Sequence, residues 1–142
     1  MNWSDLLANG TIRKHRTNDQ EITELKAIVD RDLRDAAIDS LSSDRRFATA
    51  YNAMLQLATM VIAIAGYRVL ARTGHHSTTI EALKIAMGDE IEGIASYLDL
   101  CRRKRNIVEY NRANIVSDSE VQEALTQAKD FAVLVKNWIK TR

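Results

Sequence analysis

The stretch FATAYNAMLQLATMVIAIAGYRVL, residues 47–70, decides the fold because its apolar residues recur at intervals of three and four. This spacing places them on one face of an α-helix. The face consists of Phe47, Tyr51, Met54, Leu55, Ala58, Val61, Ile62 and Ala65. Other apolar residues between them widen the face, so we expect this helix to be the most buried element, with Ser42 or Ser43 as its N-cap. It is predicted to run to about Leu70, unless Gly66 ends it early.

The same spacing predicts three further long helices and one short helix. Three pairs have the spacing of a capping box at a helix start: Thr17 with Gln20, Thr78 with Glu81, and Ser117 with Glu120. The chain has no proline, and no segment shows the sustained two-residue alternation that is typical of strands. The sequence therefore predicts an all-α, up-and-down bundle of four long helices and one short helix over residues 17–142. Residues 1–16 are predicted to form a short helix or a loosely docked arm.

Composition indicates a single domain without a global preference for an anionic partner. The 142 residues are enough to bury a core, and 20 basic against 19 acidic residues leave a net charge of +1. Any basic surface must therefore be local, and residues 102–105 are the densest candidate. The lone Cys101 excludes an internal disulfide. We expect a cytoplasmic protein that does not enter the membrane, because the chain starts without a signal-peptide pattern and its most apolar run is short.

A second stretch, LDLCRRKRNIVEYN at residues 98–111, carries the candidate site. Its apolar residues share one helical face, and Arg105 falls at the edge of that face. Arg102, Asn106 and Glu109 form the adjoining band. Leu100 and Ile107 lie on the opposite side, which predicts a second contact, either with another helix or with a second subunit.

The charges of this stretch have a purely structural alternative. Asp99 precedes Arg102 and Arg103 at spacings that form ion pairs within a helix, and Arg105 can pair with Glu109 in the same way. In that interpretation the cluster is a solvated helix face without a ligand.

Phosphodiester cleavage at such a site needs cations and a group that moves protons near neutral pH. Arginine supplies a permanent, forked cation. The second requirement is harder to meet, because tyrosine titrates near about pH 10 and glutamate near about pH 4. His75 and His76 are the nearest imidazoles in the sequence. Adjacent histidines do not easily share one metal ion, and no HxxxH, CxxC or ExxH partner accompanies them, so we predict a loop-and-cap role and neither metal nor cofactor.

The segments YNAMLQLATMVIAIAGYRV, GHHSTTIEAL and RRKRNIVEYN together resemble the HEPN superfamily of small helical proteins, over roughly residues 43–112. The hallmark of that family is an Arg, commonly followed by a polar residue such as Asn, and a His four to six residues after the Arg. Arg105 and Asn106 match the first part. Tyr110 stands where many members have the histidine.

The resemblance implies a metal-independent ribonuclease whose dimer places two copies of the motif across a groove. It also implies a place in a toxin and antitoxin pair or another defence system, with a nucleotidyltransferase as partner protein. Arg105, Asn106 and Tyr110 are then the candidate catalytic residues, and Arg102, Glu109, His75 and His76 the candidate RNA-binding or nucleotide-binding residues. Because Tyr110 replaces the histidine, His75 or His76 is a candidate substitute. The alternative is a non-catalytic interaction module that binds a nucleotide or a partner protein, since the family contains such members.

Overall fold

The computed structural model describes the backbone of residues 1–110 and 112–142, and the side chains of residues 1–107 and 112–142. The chain is mostly helical, so the predicted all-α class is confirmed. The helices are α1 (Trp3–Ala8), α2 (Asp19–Ala36), α3 (Ser43–Ala65), α4 (His75–Met87), α5 (Glu92–Tyr110) and α6 (Asp118–Lys140), with a 3-10 turn at Gly88–Ile91 that leads into α5.

Helix α3 is the centre of the core, as the opening stretch predicts. It packs against α2, α4, α5 and α6, and its side chains include Tyr51, Met54 and Val61, which are completely buried. Ser42 is its N-cap and accepts a hydrogen bond from the backbone of Arg45. Among the described residues, α3 is the one helix long and apolar enough to cross a bilayer, and 67% of its apolar window is buried inside the protein. That burial is the pattern of a core helix in a soluble protein.

The structure also contains two short strands that the sequence analysis did not predict. Strand β1 (Ile12–Lys14) pairs antiparallel with β2 (Tyr67–Val69), with Ile12 opposite Val69. The prediction that α3 continues to about Leu70 is wrong, and the alternative of an early end at Gly66 is confirmed. Gly66 adopts the left-handed conformation at φ +103°, which ends the helix. Three-residue strands are too short to show a period of two in the sequence.

Residues 1–16 form α1 and β1 and pack on the end of α3. Leu6 and Ile12 are buried in a small second core together with Ile62 of α3 and Ala82 of α4. The rings of Trp3 and Tyr67 stack with their centroids 4.1 Å apart. The short-helix interpretation of this segment is therefore correct for Trp3–Ala8.

Of the three predicted capping boxes, the one at Ser117 and Glu120 is confirmed at the start of α6. At the start of α2 the predicted box is wrong, because the N-cap is Asn18, whose side chain accepts the backbone N–H of Glu21. The prediction at Thr78 is wrong in a way that matters for the site. Helix α4 begins earlier, at His75, after Gly74 in the left-handed conformation. His75 and His76 therefore lie in the first turn of a helix.

One carboxylate fixes the connection between α5 and α6. Asp44, in the first turn of α3, accepts hydrogen bonds from the backbone N–H groups of Asn114, Ile115 and Val116 at 2.6, 3.2 and 3.1 Å. These groups are about 70 residues away in the sequence. Asp44 therefore ties the loop that precedes α6 to the start of the central helix.

Candidate functional site

An open groove of about 750 Å³ lies between the start of α4 and the second half of α5. The residues that line it are Arg72, Thr73, Gly74, His75, His76, Ser77, Arg102, Arg105 and Asn106. Five of the predicted site residues are thus brought together, although about 30 residues separate the histidines from the arginines in the sequence. The side chains of Glu109 and Tyr110, the other two predicted residues, lie outside the described part of the chain.

Arg105 lies at the wall of the groove, at the edge of the apolar face of α5 as predicted. Leu98 and Cys101, on the same helix, are completely buried and fix the face that α5 turns to the core. The Arg105 guanidinium carbon lies 5.8 Å from the centre of the Tyr51 ring. This contact between a cation and an aromatic face holds the guanidinium over the core helix.

The neighbouring basic residues are held in ion pairs. Asp99 accepts hydrogen bonds from Arg102 at 2.9 and 3.1 Å through one oxygen and from Arg103 at 2.6 Å through the other. These bonds hold the pKa of Asp99 below its ordinary value, and the bond from Arg102 contributes more than the bond from Arg103. Lys104 pairs with Glu120 of α6 at 2.9 Å. The predicted pairs of Asp99 are confirmed, and the predicted pair of Arg105 with Glu109 falls on a side chain that is not described.

His76 is held by a residue that the sequence analysis assigned only to the core. The Tyr51 hydroxyl oxygen lies 3.2 Å from Nδ1 of His76. Burial lowers the pKa of His76 to about 4, and the charges of His75, Arg105 and Arg102 act in the same direction. His76 is therefore neutral at pH 7. Burial also raises the pKa of Tyr51 above its ordinary value, so its hydroxyl stays protonated.

Tyr51 is thus a functional candidate that pattern analysis missed. Its apolar ring satisfies the periodicity of α3 as well as phenylalanine would. The signal that was available is the hydroxyl itself, since a tyrosine on a fully buried face needs a hydrogen-bond partner.

His75 has a different partner and a different exposure. Its Nδ1 lies 2.9 Å from the backbone carbonyl oxygen of Arg72, and its side chain is exposed. The ring meets that of His76 edge-on, with the centroids 4.4 Å apart. His75 also borders a smaller hollow of about 180 Å³, which is lined as well by His15 and Glu21, whose side chains are hydrogen-bonded to each other.

The first turn of α4 contributes positive potential to the groove. Its N-cap is Gly74, which has no side chain to cap the helix, and residues 74–77 line the groove. The first N–H groups of a helix lack acceptors within it and carry the positive end of the helix dipole. Together with three arginines, this end of α4 makes the groove suited to an anion and unsuited to a metal cation. In the described residues, no group of three or more His, Cys, Asp or Glu could hold a metal ion.

Comparison with known proteins gives no further assignment. No family model matches the chain, and neither a curated protein nor a solved structure matches it.

Proposed function

We propose that this protein is a HEPN-type, RNA-associated protein that binds the backbone of single-stranded RNA in the groove and cleaves it without a metal ion. The observation that carries the proposal is that one open groove is lined by Arg102, Arg105, Asn106, His75 and His76. The family's motif is matched by Arg105 and Asn106, whereas the histidines come from a helix that precedes the motif.

The arginines favour a phosphate as the ligand. A guanidinium presents a rigid fork of N–H donors that matches two oxygens of a phosphate, and it stays charged at any pH of interest. The first turn of α4, which lines the groove, adds the positive end of a helix dipole to the same space. Asn106 is exposed at the groove, where its amide can contact a ribose hydroxyl or a base edge.

RNA is favoured over other phosphate compounds by the groups that surround the phosphate position. Cleavage of RNA needs charge stabilisation and proton transfer, because the nucleophile is already present as the 2′-hydroxyl of the substrate. Arginine and imidazole side chains supply both without a metal. The groove is open and falls within the usual size range of ligand sites, so a flexible single strand is a better fit than a rigid duplex.

The direct test is incubation of the purified protein with a labelled single-stranded RNA in the presence of excess EDTA. We expect slow cleavage that EDTA does not suppress and that Arg105→Ala abolishes. Arg103→Ala is the matched control, because Arg103 lies on the same helix but is 67% exposed and pairs with Asp99 away from the groove. Intact RNA after long incubation, together with unchanged RNA binding in Arg105→Ala, contradicts the proposal.

A second candidate function is binding of a nucleotide or a partner protein without cleavage. The observation in its favour is that Asp99 neutralises part of the charge of Arg102 and Arg103, which suits a compact ligand better than a long polyanion. The same experiment separates the two candidates. A module of this kind binds a nucleotide, leaves the RNA intact, and loses binding in Arg105→Ala.

The proposal includes a homodimer in the cytoplasm. On α5, Leu100 is 60% exposed and Ile107 is 40% exposed, and both lie on the side away from the core. Burial of these residues against a second copy would remove two apolar side chains from water and bring a second α5 close to the first. A nucleotidyltransferase partner, and with it a role in a toxin and antitoxin pair or another defence system, rests on the resemblance. Co-purification of such a protein with the tagged chain is the test.

A further inference from the structure

The two adjacent histidines have partners of opposite hydrogen-bonding character, and this fixes where each ring carries its proton. A neutral imidazole has one nitrogen that donates and one that accepts. The partner of His75 Nδ1 is the backbone carbonyl oxygen of Arg72, at 2.9 Å. A carbonyl oxygen only accepts, so Nδ1 of His75 must carry the hydrogen. The Nε2 of neutral His75 then has a free lone pair.

The partner of His76 Nδ1 is the Tyr51 hydroxyl, which is able to donate or to accept. Tyr51 is completely buried, and within the described part of the chain its hydroxyl makes no other hydrogen bond. If it accepted from His76, its own hydrogen would be left in the core without an acceptor, which is energetically unfavourable. The hydroxyl therefore donates to Nδ1, and Nε2 of neutral His76 carries the hydrogen.

We propose that Arg72 and Tyr51 hold His75 and His76 in opposite tautomers, so that the groove contains a proton acceptor, His75 Nε2, beside a neutral hydrogen-bond donor, His76 Nε2–H. This inference rests on the proposed function, because the pair has its use in RNA cleavage. It supplies the proton-transfer group that the position of Tyr110 does not provide. His75 and His76 are catalytic residues in this assignment, and Tyr51 is a positioning residue that acts through His76.

The reaction that this pair supports is transesterification within the RNA. His75 Nε2 takes the proton of the ribose 2′-hydroxyl, and the 2′-oxygen forms a bond to the adjacent phosphorus. The bond from phosphorus to the 5′-oxygen of the next nucleotide breaks, and that oxygen leaves with the electron pair and takes a proton from water. Protonated His75, which is exposed, returns its proton to water. The products are a 2′,3′-cyclic phosphate and a 5′-hydroxyl end.

His76 has a different task, because its depressed pKa keeps it neutral near pH 7. A neutral imidazole N–H is a poor proton donor but a good hydrogen-bond donor, and it can bind a non-bridging phosphate oxygen as charge develops there. The groups that face His76 are consistent with this state. Among the side chains that the structure describes, they are Tyr51 from α3, His75 from its own helix, and Arg102 and Arg105 from α5, and none of these four is an anion.

The first arm of the test measures the tautomers by ¹⁵N chemical shifts of the histidine rings in the intact protein at pH 7.5, without RNA. We expect protonated Nδ1 in His75 and protonated Nε2 in His76. Tyr51→Phe keeps the ring but removes the donor, so the His76 shifts should move towards tautomer-averaged values. The His75 shifts should stay unchanged, which also verifies that the variant is folded. The inference is overturned if the two rings have the same tautomer, or if the ¹⁵N shifts of His76 are the same in Tyr51→Phe as in the wild type.

The second arm uses amides that mimic one ring nitrogen at a time. Asn places its N–H₂ near the Nδ1 position and Gln places it near the Nε2 position. His75→Asn keeps the bond to Arg72 but lacks the acceptor, so cleavage should fall by about 100-fold or more with RNA affinity nearly unchanged. His76→Gln keeps a donor near Nε2 and should retain activity within about tenfold, whereas His76→Asn should lose about 100-fold.

The substrate and the binding measurement separate failure of this inference from failure of the proposed function. RNA with a single 2′-deoxy residue should bind but resist cleavage at that residue, and the cleaved control should end in a 2′,3′-cyclic phosphate. If RNA binds and is not cleaved, or if His75→Asn cleaves at the original rate, the catalytic assignment of His75 is wrong while binding stands. If RNA does not bind, the proposed function fails, and the ¹⁵N shifts alone decide whether the tautomers are opposite.

Discussion

The salt dependence of the proposed RNA binding provides a quantitative test of how many arginines in the groove would contact phosphates. Each phosphate of a single strand that a protein neutralises releases counterions and contributes about −0.7 to the slope of log K against log salt concentration. Arg72, Arg102 and Arg105 line the groove. Three contacts would give a slope of about −2.1, and two would give about −1.4 if Asp99 keeps Arg102 occupied.

Replacement of Arg105 by alanine should therefore make the slope shallower by about 0.7. At 0.1 M salt, which is one decade below the 1 M reference, the loss of this phosphate contact lowers log K by about 0.7. Arg105→Ala should therefore bind the RNA about fivefold more weakly at that salt concentration. The measurement is fluorescence anisotropy of a labelled single-stranded RNA, titrated with protein at several concentrations of KCl. The assay does not depend on cleavage of the RNA, and a 2′-deoxy substitution in the RNA prevents cleavage during the titration.

Arg103→Ala is the control for an effect of net charge alone. It removes the same charge from the same helix, but Arg103 pairs with Asp99 and does not line the groove. We expect its slope to stay within experimental error of that of the wild type. If both variants change the slope equally, attraction is non-specific, and if neither does, the groove is not where the phosphates bind.

Three further predictions concern stability, assembly and pH. Asp44→Ala removes three hydrogen bonds to a partly buried loop, so it should lower the free energy of unfolding, measured in urea, by about 2 kcal/mol. The control Asp130→Ala, on the exposed side of α6, should lower it by less than about 0.5 kcal/mol. Leu100→Asp should convert the proposed dimer to a monomer in sedimentation, while an unchanged size would mean that this face of α5 is not the interface. The pKa of His76 is lowered to about 4 in the folded protein, so the unfolded chain binds the proton first as the pH falls. Stability should therefore decrease as the pH drops from about 6.5 to about 4, and this part of the decrease should be absent in His76→Gln.

Much of the fold was predictable because it is encoded in local periodicity. The buried face of α3 and the capping box of α6 follow from residues that are close in the sequence, and the structure contains both. The start of α4 was misplaced because its cap is a glycine in the left-handed conformation, whereas the capping signal at Thr78 is a side-chain pattern. The two strands escaped detection because a three-residue strand owes its existence to the partner with which it pairs.

Five of the residues that line the groove could be singled out in the sequence, but their arrangement could not. Arg105 and Asn106 stand out in the sequence by their position on a helix, and the histidines by their residue type. The proximity of the two groups depends on how α4 packs against α5, and no local pattern encodes it. Tyr51 was unpredictable for another reason. Its ring is buried in the core and its hydroxyl contacts His76, which lines the groove, so periodicity captures only the first of its two roles.

The groove itself depends on the end of α3 at Gly66. A helix that continued to Leu70 would carry the chain about 6 Å further along its axis and leave no strand to pair with β1. A Cβ atom at Gly66 would meet no atom within 4 Å, so space alone would allow a side chain there. The glycine is required for its backbone angle, at φ +103°, which L-residues rarely adopt. By ending α3 there, Gly66 directs the chain through β2 and Arg72 to the first turn of α4, where the two histidines meet the arginines of α5.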